Sequence, residues 1–424
     1  MAVVLLRNTD LIYLPDHGFV GEEGALRILP QITRGIRRID ISHNLLGSAG
    51  TLTLFKGLTT IRSRYSSPDL GLGIWGLTEV NLGVNSLDDA ALDGVLAYAK
   101  KDGFLQRVLV QGNIITFREG LDSMMNSLNS SRIRSLSLTN NPSLDPDGVG
   151  RFFDKLVCPN LSELHLSACD LPTKVADSIS QFLRSDRSRN LEVLELNGNK
   201  LGSRGVEQIL DVVEVSNFSL RVVGLLANTS MEPSIVSIDD DVGGGGDENR
   251  SGNLNEAQAA YGRDMELRAL EYQVHTRLPR LLERNRVLTK RARRAASKIL
   301  APARIIINAR VPSDEETAQR VIEQISSGTS SSTPFPLLDL PEEVVHLIVR
   351  SIGGDDRALS EGQWARLRVE AGDRGSLARN VRMRQERMRG KGRGDEREVM
   401  RGLKEDWLRR GRWDRWEEDS RRVG

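Results

Sequence analysis

The chain has 424 residues, room for more than one domain, with 59 Lys and Arg balanced by 58 Asp and Glu and only 4% aromatic residues. A formal net charge of +1 gives no general attraction to nucleic acid or acidic surfaces. Two cysteines, Cys158 and Cys169, argue against a disulfide framework and for a reducing compartment. No run of 18 apolar residues exists, and Met1-Ala-Val-Val-Leu-Leu-Arg7 is too short for a signal-peptide core. The expected location is cytoplasmic, nuclear or both.

Residues 3–6 suit a short strand and 22–32 a helix, together a capping unit that an open repeat array needs at its end. Seven copies of one pattern follow, L-x-x-L-x-L-x-x-N/C. They are Ile36-Arg-Arg-Ile39-Asp-Ile41-Ser-His-Asn44, Leu77-Thr-Glu-Val80-Asn-Leu82-Gly-Val-Asn85, Leu105-Gln-Arg-Val108-Leu-Val110-Gln-Gly-Asn113, Ile133-Arg-Ser-Leu136-Ser-Leu138-Thr-Asn-Asn141, Leu161-Ser-Glu-Leu164-His-Leu166-Ser-Ala-Cys169, Leu191-Glu-Val-Leu194-Glu-Leu196-Asn-Gly-Asn199 and Leu220-Arg-Val-Val223-Gly-Leu225-Leu-Ala-Asn228. The spacings are 41, 28, 28, 28, 30 and 29 residues. The long first spacing carries an insertion near 62–76 with Tyr65, Pro68 and Trp75, read either as a surface loop or as a partner-contacting one.

The period-2 core of each copy, such as Leu191, Leu194 and Leu196, predicts a short strand with its apolar side chains inward. The asparagine that follows is a turn residue whose amide can pair backbone groups left free by the bend. At Cys169 a small buryable thiol takes its place. A helical stripe comes next, as in Val206, Ile209, Leu210 and Val213. Repeats of this length resemble the ribonuclease-inhibitor type of leucine-rich repeat, a group that includes the Ran GTPase-activating proteins. The resemblance covers roughly residues 1–230. It implies an α/β solenoid, a ribonuclease-inhibitor-like horseshoe with strands inside the curve and helices outside, over about 1–235.

The register writes out the concave face: Arg38, Asp40 and Ser42; Glu79, Asn81 and Gly83; Arg107, Leu109 and Gln111; Ser135, Ser137 and Thr139; Glu163, His165 and Ser167; Val193, Glu195 and Asn197; Val222, Gly224 and Leu226. This face is mixed in charge, short in side chain and without Trp or Tyr, which suits a protein partner better than a small molecule. It is equally consistent with a plain hydrated surface.

The pattern stops after Asn228. Residues 236–254 form an acidic, Gly-rich linker, and 255–327 a helical region, with Leu267, Leu270, Val274, Leu278, Leu281 and Leu288 as a stripe that caps the last repeat or meets a partner helix. Pro279 must kink that helix or begin a new one. Lys290, Arg291, Arg293 and Arg294 form a basic segment, either a solvated helix face or a nuclear-import or anion-binding signal. A second linker, 328–336, precedes Leu340, Pro341, Val344, Leu347 and Ile348, which resemble the opening helix of an F-box, the module that binds a Skp-type adaptor of ubiquitin ligases. The resemblance spans about 15 residues and lacks the family's second helix, so the face of Val344, Leu347 and Ile348 is expected to be buried within the chain. Residues 371–424 are Arg-rich and mixed in charge, and Trp407, Trp413 and Trp416 are set to anchor on the body or on a partner.

No catalytic constellation emerges, and no Cys/His metal spacing exists. His165 lies on the concave face without a nucleophile to orient, and His43 lies in a turn. The residues point to a non-enzymatic interaction scaffold without cofactor. Two further readings are carried by resemblance: a ubiquitin-ligase adaptor with a Skp-type partner, and a GTPase activator whose partner is a small GTPase.

Overall fold

A computed structural model of the chain describes residues 10–66, 74–229, 261–262, 264–309, 342–355, 357–373, 375–388 and 396–417. The chain divides into two compact units, Met1–Leu282 and Glu283–Gly424.

The first unit is built on one parallel sheet whose eight three-residue strands lie side by side in chain order. They are β1 (Leu11–Tyr13), β2 (Arg38–Asp40), β3 (Glu79–Asn81), β4 (Arg107–Leu109), β5 (Ser135–Ser137), β6 (Glu163–His165), β7 (Val193–Glu195) and β8 (Val222–Gly224). Helices α1 (Gly21–Ile28), α2 (Gly47–Tyr65), α3 (Asp89–Lys101), α4 (Leu121–Asn129), α5 (Pro146–Lys155), α6 (Val175–Arg184) and α7 (Gly202–Val215) alternate with them. The central strand residues Ile12, Ile39, Val80, Val108, Leu136, Leu164, Leu194 and Val223 are paired in register and all buried. The apolar stripes of the helices pack on them in one continuous core, including Val206, Ile209, Leu210 and Val213 of α7. The result is the α/β repeat solenoid that the sequence pattern predicts.

The asparagines explain the pattern's ninth position. The Asn113 amide donates to the carbonyls of Leu82, Val110 and Gln111 at 2.9–3.2 Å, and its Oδ1 accepts the N–H groups of Asn85 (2.9 Å) and Leu87 (3.0 Å). Each asparagine therefore sews its own turn to the preceding one, satisfying backbone groups that water cannot reach. The residue before it is held left-handed, with φ +54° at Val84 and +57° at Asn140; Gly112 and Gly198 accept the same conformation without strain. Cys169 substitutes with a thiol 3.2 Å from the Leu138 carbonyl. Burial pushes that thiol up to about 11, and Cys158 is raised for the same reason. Both cysteines are free, buried and poorly ionised.

The strand expected at residues 3–6 lies outside the described residues; a further strand, β1 at Leu11–Tyr13, extends the ladder by one. Two sequence expectations change. Two aromatics of the insertion, Tyr65 and Trp75, turn inward. Trp75 is fully buried and donates from Nε1 to the Ile36 carbonyl at 3.1 Å, while Tyr65 packs edge-on to it and donates to the Ile32 carbonyl. These aromatics are core, not partner contacts; Pro68 lies outside the described residues. Near the end of the unit, a π-turn at Gln273–Arg277 precedes Pro279, which enters the long helix α8 (Leu278–Ala309) near its start. Leu270, Leu278 and Leu281 join the repeat core, and Arg277 pairs with Asp211 (2.7 Å) and Glu214 (2.5 Å) of α7. Leu267 of the predicted stripe is exposed.

One buried carboxylate is expected to give the repeats a pH-dependent stability. Asp89, in the first turn of α3, accepts hydrogen bonds from the backbone N–H groups of Thr116, Phe117, Arg118 and Glu119 and from the Thr116 hydroxyl, at 2.6–3.1 Å. Burial draws its pKa upward, but the bonds from Thr116, Glu119 and Phe117 outweigh this and leave it below the ordinary carboxylate value. A depressed folded-state pKa means that the stabilisation is complete above the unfolded value near 4 and is lost as pH falls through the folded value. Asp89→Asn is therefore expected to destabilise most at neutral pH, with the gap to wild type closing below about pH 4 in chemical denaturation series. A gap independent of pH would contradict the assignment.

The second unit packs helices on an alanine stripe. Ala292, Ala295, Ala296, Ile299 and Ala303 of α8 face Val345 and Val349 of α9 (Glu342–Ser351), Trp364, Leu367 and Ala371 of α10 (Glu361–Gly372), Leu408 and Trp413. Helices α11 (Gly375–Met388) and α12 (Glu396–Arg410) lie against each other. Ser360 and Gln363 form a capping box at α10. Gln363 also donates to the Arg412 and Arg415 carbonyls at 2.6 and 2.8 Å, and Trp413 donates back to the Gln363 carbonyl at 3.0 Å. The C-terminal tryptophans are thus anchors within this unit: Trp413 is buried, Trp407 stacks on it at 4.5 Å, and Trp416 receives Arg291 over its ring.

Candidate protein-interaction surface

Helices cover one face of the sheet, and the residues flanking each central strand position line the other. In register, one row reads Arg38, Glu79, Arg107, Ser135, Glu163, Val193 and Val222; the next reads Tyr13, Asp40, Asn81, Leu109, Ser137, His165, Glu195 and Gly224. Every residue predicted for this face, Arg38, Asp40, Glu79, Asn81, Arg107, Gln111, Glu163, His165, Glu195 and Asn197, falls on it or on the turn that continues it.

Short polar links cross the strands. Arg38 pairs with Asp10 at 3.1 Å, and Arg107 with Glu79 at 3.3 Å. Asp40 accepts from the Ser42 hydroxyl (2.7 Å) and the Asn81 amide (3.0 Å), and Asn81 accepts from Gln111 (3.2 Å). Farther along, Glu163 stands 3.9 Å from His165, and Asn197 donates to Glu195 at 2.7 Å. Two glycines make room for these side chains. A Cβ on Gly224 would lie 1.8 Å from Glu195 Oε2, and one on Gly83 would lie 2.5 Å from Gln111 Nε2. The Arg38–Asp10 pair raises the arginine and lowers the carboxyl by direct hydrogen bonding; both are surface groups, so the pair contributes little stability.

The sequence reading missed Tyr13. It pairs with Asp40, is 65% exposed, and gives this face the aromatic anchor that it was expected to lack. The signal is Ile12-x-Leu14, set 27 residues before Ile39-x-Ile41, but His17 stands where asparagine would complete the motif. The role is filled from the other side: Asn44 accepts from the His17 and Phe19 N–H groups.

Part of the chain is similar to a known protein. The chain is 26% identical to the ribonuclease inhibitor of Sus scrofa over 218 residues, 46% of this chain and 46% of that protein. It thus spans about half the length of that relative. No family model matches the chain. The similarity and the parallel strand–helix repeat together fit a leucine-rich-repeat protein. No group of three or more metal-ligating side chains converges among the described residues. No helix among them is long and apolar enough to cross a membrane.

The other predicted sites lie in the second unit. Of the basic segment, Arg291 pairs with Asp355 at 2.5 Å and Arg293 with Glu405, while Lys290 and Arg294 are exposed. Two of its four cations thus fasten the unit together. Leu340 and Pro341 lie outside the described residues. The buried face of α9 is not the one expected. Val345 and Val349 are 1% and 0% exposed, whereas Leu347 is 62% exposed and Val344 and Ile348 also face outward. The expectation that Val344, Leu347 and Ile348 are buried is therefore corrected. The alanine stripe of α8 takes the i, i+4 pair offset by one residue from the predicted stripe. Leu347→Asp is expected to change stability by less than about 0.5 kcal/mol, and Val349→Asp to cost about 3 kcal/mol or more. Comparable losses in thermal denaturation would contradict this placement. A shallow cleft of about 390 Å³ lies between α10 and α12, floored by Trp407 and Trp413.

Proposed function

We propose that the chain is a non-enzymatic protein-interaction scaffold that binds its partner on the helix-free, concave face of a ribonuclease-inhibitor-like horseshoe. The observation that carries this reading is the face itself. Eight parallel strands present two rows of mostly polar side chains, broken by Leu109, Val193 and Gly224, with the exposed Tyr13 at one end and Val222 and Leu226 exposed at the other. A face of this kind offers a broad, graded surface rather than a closed pocket. The similar porcine protein is named as an inhibitor of ribonucleases, which accords with a binding role. The test is affinity purification of the tagged full chain, comparing wild type with Tyr13→Ala combined with Asn197→Arg. The scaffold reading expects a set of partners lost from the variant. A GTP-hydrolysis assay with Ran separates the activator class: stimulation by the purified chain would overturn the non-enzymatic reading. The same proposal places the protein in the cytoplasm, the nucleus or both.

A second reading, an adaptor of a ubiquitin ligase, draws support from one observation: Leu347, Val344 and Ile348 stand outward on α9. Binding of a purified Skp-type adaptor to the wild-type chain, abolished by Leu347→Asp, would establish it. No binding would leave α9 a structural helix.

A further inference from the structure

We propose that the cleft between α10 and α12 holds the C-terminal residue of a partner polypeptide, with its carboxylate at Arg410 and the Trp407 indole and its apolar side chain against Val369 and Trp413. The cleft belongs to the second unit, so the proposal stands whether or not a partner binds the sheet.

Two independent observations meet here. The first is an unpaired donor on the wall of an open cavity. Ala365 and Val369, four residues apart on α10, line the cleft together with Trp407, Arg410, Gly411 and Trp413. The Trp407 indole N–H is buried and has no acceptor among the described residues. Trp413, stacked on it, spends its own N–H on the Gln363 carbonyl at 3.0 Å. A buried donor without an acceptor is costly, so an acceptor that enters the cleft gains there. The second is charge. Arg366 is held by Glu417 (2.7 Å) and by the Gly411 carbonyl (2.9 Å), and Glu370 by Arg304 (3.2 Å). Arg410 is exposed and pairs with no carboxylate among the described residues. The lining thus keeps one uncompensated positive charge. Its apolar part is open as well, for Val369 is 75% exposed.

A carboxylate answers both the donor and the cation, and an apolar side chain beside it covers Val369 and the indole rings. The N–H is covered, and a small tilt of the partly exposed Trp407 ring brings it to the incoming oxygen. A chain terminus carries both groups on one carbon. An internal acidic residue and its apolar neighbour in an extended segment point to opposite sides, so one cleft cannot take both. The cleft is shallow, about 390 Å³, which suits one residue of a chain that leads out to solvent better than a small molecule that needs enclosure. A basic terminus would be repelled by Arg410, and a neutral one would leave that charge unanswered.

The test uses the full chain and a short glycine–serine peptide that ends in phenylalanine, labelled with fluorescein at its N-terminus, in anisotropy titrations at low salt. The same peptide with a C-terminal amide is the neutral isostere. The free acid is expected to bind about fivefold more tightly than the amide, the charge-assisted bonds being lost in the latter. Arg410→Gln is expected to bring that ratio within about twofold. Trp407→Phe, which keeps a ring and removes the N–H, should lower the ratio too. Val369→Asp should weaken the free acid by about threefold or more, and Arg382→Gln, an exposed arginine of α11, should leave it unchanged. The proposal is overturned if the free acid shows no saturable binding up to about 1 mM, if the amide binds equally, or if the ratio survives in Arg410→Gln. It is also overturned if 3-phenylpropionate binds as tightly as the peptide, which would make the ligand a small acid. Displacement of the peptide by an equal concentration of inorganic phosphate would mark a bare anion site and sink it as well. Because Arg410 is exposed, its variant keeps the test sound even if Trp407→Phe fails to fold.

Discussion

Leu194→Asp is expected to remove most of the stability of the repeat unit. Leu194 is fully buried at the centre of β7, in register with Leu164 on one side and Val223 on the other. The substitution forfeits about 2–3 kcal/mol of apolar burial. It also places a carboxylate where no cation or donor can reach it, and the combined cost is about 4 kcal/mol or more. Domains of this kind are stable by only about 5–15 kcal/mol, so the loss is a large share of the total. Guanidinium denaturation followed by circular dichroism reads the effect. A variant within about 1 kcal/mol of wild type would mean that the strand register is wrong.

Asn113→Ala is expected to cost about 3 kcal/mol. The side chain is replaced without creating a large void, so the loss comes from the two backbone donors and three carbonyls that it pairs. Cys169 offers an internal comparison, because it occupies the same repeat position with a thiol that makes only weak contacts to the Leu138 and Ser167 carbonyls. Cys169→Ala is expected to cost only about 1 kcal/mol. Equal losses for the two variants would show that the asparagines matter through packing rather than through their hydrogen bonds.

The repeats were legible because each strand position has a fixed burial consequence. Leu194 faces the core and Glu195 does not, and a one-residue slip would exchange them. The same arithmetic places the residues from Arg38 to Asn197 on one face of the sheet. It failed at Tyr13 because His17 breaks the motif while Asn44, 27 residues later, does the hydrogen bonding. It also failed at Trp75, whose inward turn depends on the Ile36 carbonyl 39 residues away, a long-range partner that no local pattern reports. In the second unit, α9 has apolar residues on two overlapping faces. Val344, Leu347 and Ile348 satisfy helical spacing as well as Val345 and Val349 do, and only the alanines of α8 decide between them.

The central claim, that the helix-free face of the sheet is where a partner sits, is tested most directly by site-specific photo-crosslinking in cells. A photoreactive amino acid is placed at position 195 or 13 on that face, and at position 207 on the exposed side of α7. The account predicts discrete protein adducts from positions 195 and 13 and none from 207. Adducts that form at 207 and not at 195 or 13 would contradict it.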